Sequence, residues 1–310
     1  MTNIVENALE LIGNTPLIVL HRIYPGPGNL FAKVEFMQPG GSVKDRAALK
    51  IIKLAYQAGA LVKGQTVVEM TSGNMGAGLA VVCNVMDNPF IAVMSSGNSP
   101  QRAKMLYSLG AEVILVPQVD GSPGQVTGKD IAAAVAKAKE LVQTRRAFYV
   151  DQFNHLGSIL AHEEGTGPEI WKALGGKVDA FVAAVGSGGT FIGTSLFLKK
   201  QNSQIMCIAV EPEGADILAG NPLTKPKHII QGIGYGIIPP HWDPKLVDMF
   251  IAVSDQEAEE YRKLLAVKEG LYVGFSAAAN VCAAMKVLKK NVLNSQPNIV
   301  TVLCDTGLKY

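Results

Sequence analysis

Short apolar runs alternate with amphipathic segments along most of this chain. Residues 66–70 read as a strand and 76–86 as an apolar helix. Residues 89–94 and 112–117 read as strands on either side of a helix that opens at Ser99-Pro100, an N-cap followed by proline at the first helical position, and stops at Gly110. A Gly/Pro/Ser loop over 120–128 leads into a helix at 130–143, and 148–153 closes this run as a strand. A second run repeats the order: helix 157–174, strand 178–185, a glycine turn, a helix to Lys200, strand 205–210. Residues 214–244 are rich in Gly and Pro but carry Ile229, Ile230, Ile233 and Ile237, which predicts a long ordered surface segment. Helices at 256–268 and 277–289 precede a last strand at 299–304. Strands alternating with helices predict an α/β protein, its parallel sheets covered by helices on both faces.

The chain's 310 residues are enough for about two domains. With 48% hydrophobic residues, 17% charged and a net charge of +2, it has the balance of a compact globular protein with no bulk attraction to nucleic acid or anionic lipid. Glu6 and Glu10 stand where a secretory signal would be basic and then apolar, and no apolar run approaches the roughly 20 residues that span a bilayer. A soluble, cytoplasmic protein is expected. Cys83, Cys207, Cys282 and Cys304 are dispersed among apolar neighbours, and the five histidines are equally scattered, so buried thiols and no metal site are expected.

Candidate chemistry begins at Lys44. From Asp45 onward Ala48, Ile51, Ile52 and Ala55 recur at helical spacing, which places Lys44 in or just before the first turn of a helix. The unpaired N–H groups and the positive end of the helix dipole there disfavour a further cation and favour the neutral amine, a nucleophile and base. A solvated loop lysine is the alternative.

Two glycine turns also follow strands and open helices. Thr71-Ser72-Gly73-Asn74-Met75-Gly76 offers backbone N–H groups and two hydroxyls, suited to a carboxylate or phosphate. Gly186-Ser187-Gly188-Gly189-Thr190 is the better phosphate cradle, since its glycines let the backbone close around an anion. Either could instead be an ordinary strand-to-helix connection. Glu211 ends the next strand where a ribose-binding acid would stand, but Phe191 occupies the third glycine position of a dinucleotide fingerprint. No P-loop, SxxK or GxSxG pattern occurs, and His162-Glu163-Glu164 is not the HExxH of a zinc protease. Trp171 and Trp242 read as packing residues.

Several motifs agree in order and spacing with one family: Gly13-Asn14-Thr15-Pro16-Leu17, Gly41-Ser42-Val43-Lys44-Asp45-Arg46, Thr71-Ser72-Gly73-Asn74, Gly165-Thr166-Gly167-Pro168-Glu169-Ile170, the turn Gly186 to Thr190, Gln231-Gly232-Ile233-Gly234 and Gly274-Phe275-Ser276. The chain resembles, over nearly its whole length, the fold-type II pyridoxal-phosphate enzymes of the cysteine synthase (O-acetylserine sulfhydrylase) and cystathionine β-synthase family. The resemblance implies a tryptophan synthase β-subunit-like α/β fold: two open, twisted, mostly parallel sheets in two domains. These would be a smaller mobile one at 35–147 and a larger cofactor-binding one at 1–34 and 148–310.

It also implies roles. Lys44 would hold pyridoxal 5'-phosphate as a Schiff base and act as general base. The phosphate would lie in Gly186, Ser187, Gly188, Gly189 and Thr190. Asn74 would bond the ring hydroxyl oxygen, and Ser276 would face the pyridine nitrogen. Thr71, Ser72, Asn74 and Gln152 would surround the substrate α-carboxylate, next to Met75, which stands where the family usually has threonine and bears on substrate fit.

The implied reaction is β-replacement on an activated L-serine through an aminoacrylate, first O-acetyl-L-serine with sulfide giving L-cysteine and acetate. Serine or O-phosphoserine as donor, homocysteine as acceptor, and cysteine breakdown releasing sulfide are alternatives within the family. A non-catalytic binding or regulatory relative and a nicotinamide oxidoreductase are alternatives outside it. The partners implied are an amino acid, a thiol or sulfide, and a second copy of the chain in a homodimer. Residues 95–102 and the chain's end at 304–310 depart from the family's usual wording.

Overall fold

A computed structural model describes residues 4–310; residues 1–3, the start of the expected 1–34 segment, lie outside the described residues. The strands are β1 Leu17–Val19, β2 Asn29–Val34, β3 Val67–Met70, β4 Phe90–Ser95, β5 Glu112–Val116, β6 Phe148–Tyr149, β7 Ala180–Ala184, β8 Met206–Pro212, β9 Met249–Val253 and β10 Asn298–Leu303. The helices are α1 Lys44–Gln57, α2 Asn74–Val85, α3 Pro100–Ser108, α4 Gly128–Arg145, α5 Gly157–Ala161, α6 Gly167–Ala173, α7 Gly189–Gln201, α8 Asp255–Leu264 and α9 Phe275–Lys289. They form two compact units, one of residues 38–157 with the segment up to Ile12, the other of residues 13–37 with 158–310.

In the first unit the sheet order is β5-β4-β3-β6, every pair parallel. Successive residues of a strand face opposite sides, and both sides here are apolar because both are covered. Val67, Ala92 and Met94 pack with Ile51, Ile52, Leu79 and Val82 from α1 and α2. Their neighbours Val68, Ile91 and Val93 face Ala134, Ala138 and Leu141 of α4. A capping box opens α4: the Thr127 hydroxyl accepts from the Asp130 N–H at 3.3 Å, and the Asp130 carboxylate accepts from the Thr127 N–H at 2.9 Å. The Val119 N–H also reaches that carboxylate, at 2.6 Å. These bonds, that from Thr127 first, hold the Asp130 carboxyl well below its usual range and fix both ends of the 120–128 loop.

The second unit's sheet runs β1-β2-β10-β7-β8-β9, with β1 antiparallel to β2 and all other pairs parallel. On one face Ala180, Val182, Ile208 and Val210 pack with Ala277, Val281 and Ala284 of α9, whose small side chains let the helix lie close to the sheet. Aromatic rings follow one another elsewhere in the unit. Phe181 stacks on Phe191 of α7, Phe191 meets Trp242, and Trp242 meets Phe250, with centroids 6.4, 5.8 and 6.3 Å apart. Trp242 is thus a packing residue, as expected.

Where the elements differ from the sequence reading, a local cause is visible. Strand 148–153 ends at Tyr149 because Asp151 turns the chain out of the sheet with φ 49°. The helix expected over 157–174 is interrupted by a π turn, His162–Thr166, between α5 and α6. The Ser99 hydroxyl bonds Gln101 Oε1 at 2.6 Å instead of capping the backbone of α3. Strands β1, β2 and β9 have no counterpart in the sequence reading. In β2, Lys33 is 2% exposed. Its ammonium pairs with Glu169 at 2.6 Å and donates to the Thr15 hydroxyl at 2.7 Å and to the Thr15 carbonyl; the Thr15 hydroxyl in turn donates to Glu35 at 2.7 Å. Glu169 also accepts the N–H of Asn14, which sits in the left-handed region at φ 48°. The Gly13–Leu17 and Gly165–Ile170 motifs are thus held together by a buried charge network.

Candidate active site

The candidate residues of the first unit cluster at the starts of two helices. Lys44 is the first residue of α1 and half-buried. Its N–H donates to Ser42 Oγ at 3.3 Å, the Asp45 N–H to the Ser42 carbonyl at 3.3 Å, and the Gly40 N–H to the Asp45 carboxylate. The turn before the lysine is therefore tied at both ends.

Thr71 follows β3 and Asn74 opens α2. Gly73, the residue before α2, brings no side chain to cap the helix. Thr71 compensates, since its hydroxyl oxygen accepts from the N–H groups of Gly76 at 3.1 Å and Gly73 at 3.5 Å. A hydroxyl that accepts through its lone pairs keeps its own proton as a donor. Ser72 is placed alike, its oxygen accepting from Arg102 Nη1 at 3.3 Å, which also brings a guanidinium to the turn. Met75 turns its side chain, 3% exposed, into the core with Leu79 and Leu106, so its backbone rather than its thioether borders the turn. Gln152 lies after β6, and its Nε2 donates to Glu69 Oε1 at 3.3 Å.

In the second unit β7 runs into the turn of Gly186, Ser187, Gly188, Gly189 and Thr190, and Gly189 begins α7. Gly188 has φ +89°, and a Cβ on Gly186 would lie 2.2 Å from the Gly232 carbonyl oxygen, so neither position accepts a side chain. No side chain caps the first N–H groups of α7. Thr190 lies within hydrogen-bond distance of His162 Nε2 at 3.2 Å, while Nδ1 of that ring meets the Thr166 hydroxyl at 2.8 Å. Ser276 is the second residue of α9 and 8% exposed. Glu211 is committed elsewhere. Its carboxylate accepts the N–H groups of Leu218 and Ala219, each at 3.0 Å, and burial pushes its pKa up to about 7.

Lys44, Asn74, Gly189 and Ser276 thus each stand in the first turn of a helix, where the positive end of the helix dipole favours bound anions. Residues 8–305 match the family described as pyridoxal-phosphate dependent enzyme. The chain belongs to that family. It is therefore an enzyme that uses pyridoxal phosphate.

A cysteine synthase from Staphylococcus aureus is 36% identical over 308 residues, 99% of this chain and 95% of that protein. Among solved structures, a hydrogen sulfide-producing enzyme from Fusobacterium nucleatum aligns with a TM-score of 0.92 and 34% identity, over 100% of this chain and 99% of the other. An O-acetylserine dependent cystathionine β-synthase from Helicobacter pylori aligns with a TM-score of 0.88 and 34% identity, over 100% and 98% of the two chains. Both sheets, mostly parallel and flanked by helices, are those of fold-type II enzymes of this class.

The residues present fit the cofactor. A cradle from which glycine excludes side chains opens an uncapped helix, a lysine stands at a second helix start, and a buried hydroxyl stands at a third. Three residues escaped the sequence reading. Glu69, Arg102 and His162 each meet a candidate residue distant in sequence, and no local motif marks them.

Proposed function

We propose that the protein catalyses β-replacement on an activated L-serine, with O-acetyl-L-serine and sulfide giving L-cysteine and acetate. The observation that carries this reading is the 36% identity to a cysteine synthase over 99% of the chain, with a lysine, an asparagine and a glycine cradle at three helix starts.

Pyridoxal phosphate, when bound, supplies the electron sink that accepts the charge left as the substrate Cα loses its proton. The turn Gly186 to Thr190 and the first N–H groups of α7 hold the phosphate. Asn74 would orient the cofactor by donating to the hydroxyl oxygen of its ring. Lys44 Nζ would anchor the cofactor covalently; once the substrate amine displaces it from that bond, the freed amine would take the Cα proton as general base and return it at the end. The hydroxyls of Thr71 and Ser72, the N–H groups opening α2 and the Gln152 amide bind the α-carboxylate, and Arg102 adds positive charge beside Ser72. Ser276 would offer the pyridine nitrogen a hydroxyl rather than a carboxylate, which would leave that nitrogen largely unprotonated and favour elimination and replacement over transamination.

A second reading, cysteine breakdown with sulfide release, is supported by the likeness to the sulfide-producing enzyme. Purified protein mixed separately with O-acetyl-L-serine plus sulfide, with L-serine plus homocysteine, and with L-cysteine alone distinguishes the readings by cysteine, cystathionine or sulfide formed. The first mixture is expected to react fastest. No change of the cofactor spectrum with any of these amino acids would refute the assignment. The reading extends to a soluble cytoplasmic homodimer, and sedimentation of the purified protein checks the dimer.

A further inference from the structure

Glu69 is 2% exposed near the end of β3, two residues before Thr71. Opposite it the chain leaves the sheet: Val150 still donates its N–H to the Val68 carbonyl at 3.1 Å, and Asp151 then turns away at φ 49°. The turned Asp151 N–H donates to Glu69 Oε2 at 2.9 Å, and Gln152 Nε2 donates to Glu69 Oε1 at 3.3 Å. One buried carboxyl group thus holds both the backbone turn that presents Gln152 and the amide of Gln152 itself. A primary amide has two N–H donors. With one held by Glu69, the carboxamide is oriented with its nitrogen toward the buried carboxyl group.

We propose that Glu69 is a positioning residue for the substrate, fixing the Gln152 carboxamide so that its second N–H is presented to the α-carboxylate of the amino acid. The proposal rests on the carboxylate-binding role assigned to Gln152 above. Glu69 does not itself touch the substrate; it acts through Gln152.

The test uses the pyridoxal-phosphate holoenzyme and follows the cofactor's visible band during titration with L-serine and with L-serinamide, which lacks the carboxylate. Glu69→Gln, which leaves one acceptor oxygen where the carboxyl group offers one each to Asp151 and Gln152, is expected to weaken L-serine binding roughly tenfold, as for loss of the Gln152 hydrogen bond to a charged group. L-serinamide binding, weaker from the start, should not change. Gln152→Ala should have the same selective effect, and the double variant should be no weaker than Gln152→Ala alone, since residues acting through one contact are non-additive. Glu69→Asp keeps the carboxyl group but draws it back, and is expected to fall between wild type and Glu69→Gln, which guards against a folding defect in one variant. Normal L-serine affinity in Glu69→Gln, equal losses for serine and serinamide, or additive losses in the double variant would overturn the positioning role. If Gln152→Ala itself binds L-serine normally, the assignment of Gln152 to the carboxylate fails, and the proposal with it.

Discussion

Nε2 of His162 lies 3.2 Å from the hydroxyl of Thr190 in the phosphate turn. Nδ1 faces the Thr166 hydroxyl at 2.8 Å, so in the tautomer where Nδ1 accepts from Thr166, Nε2–H donates to Thr190. That directs the proton of Thr190 away from the imidazole and toward an anion in the turn. His162→Gln is therefore expected to weaken retention of pyridoxal phosphate about five- to tenfold, near 1 kcal/mol for one neutral hydrogen bond. Affinity for pyridoxal, which has no phosphate, should hold. Fluorescence titration of the apoprotein with both compounds measures the difference; an equal loss for the two would place His162 in general packing.

Lys44 at the start of α1 carries the chemistry in the proposed reaction. Lys44→Ala should still bind the cofactor through the glycine turn but lose the lysine-linked absorbance, with turnover falling by at least about a thousandfold. Borohydride treatment of the wild type followed by peptide mapping should mark the peptide containing Lys44. A mark on another lysine would move the anchor.

Ser276 sets the character of the electron sink. Ser276→Asp should protonate the pyridine nitrogen, shift the cofactor spectrum and divert part of the flux from replacement to transamination. The pyridoxamine phosphate formed per cysteine made measures that partition. An unchanged spectrum and ratio would count against the hydroxyl's role.

The strand-turn-helix units were legible because their signals are local: the apolar run before Gly186, the amphipathic spacing after Asp45, and glycines at positions a Cβ cannot enter. Strand β2 was not, because Lys33 breaks its apolar pattern and is neutralised by Glu169, far along the chain. The π turn His162–Thr166 leaves no mark in the sequence pattern of 157–174, because it keeps helical composition. His162 belongs to no metal-binding motif, and nothing near it in sequence announces Thr190. Glu69 reads as one acid in a strand until the turn at Asp151 folds Gln152 back on it. Sequence marks the groups that face the ligand; it conceals those that hold them there.

The Lys33 network predicts a stability effect separate from catalysis. Lys33→Met leaves Glu169 and Glu35 without their buried cation, and removing one partner of a buried pair costs about 3–5 kcal/mol. Urea denaturation of the apoprotein should show a loss of that order, with the slope against denaturant unchanged. A loss below about 1 kcal/mol would mean that water reaches the site on mutation.

Two buried acids give the stability a pH dependence of defined sign. Burial raises Glu69 from its ordinary value of 4.5 to about 8, against the opposing pull of the Asp151 and Gln152 donors, and raises Glu211 from 4.5 to about 7. Each group binds its proton more tightly folded than unfolded. Between pH 4.5 and these values the folded state therefore holds more protons, and stability falls as pH rises. The contribution is complete below about 4.5 and is lost through about 7 for Glu211 and about 8 for Glu69. Urea midpoints should decline from pH 5 to 8.5 in the wild type. In Glu69→Gln, which cannot ionise at this position, the decline attributable to these acids should flatten above about pH 7 as Glu211 titrates, and be shallower than the wild type between pH 7 and 8. A Glu69→Gln profile that kept falling between pH 7 and 8 as steeply as the wild type would show that another group titrates there.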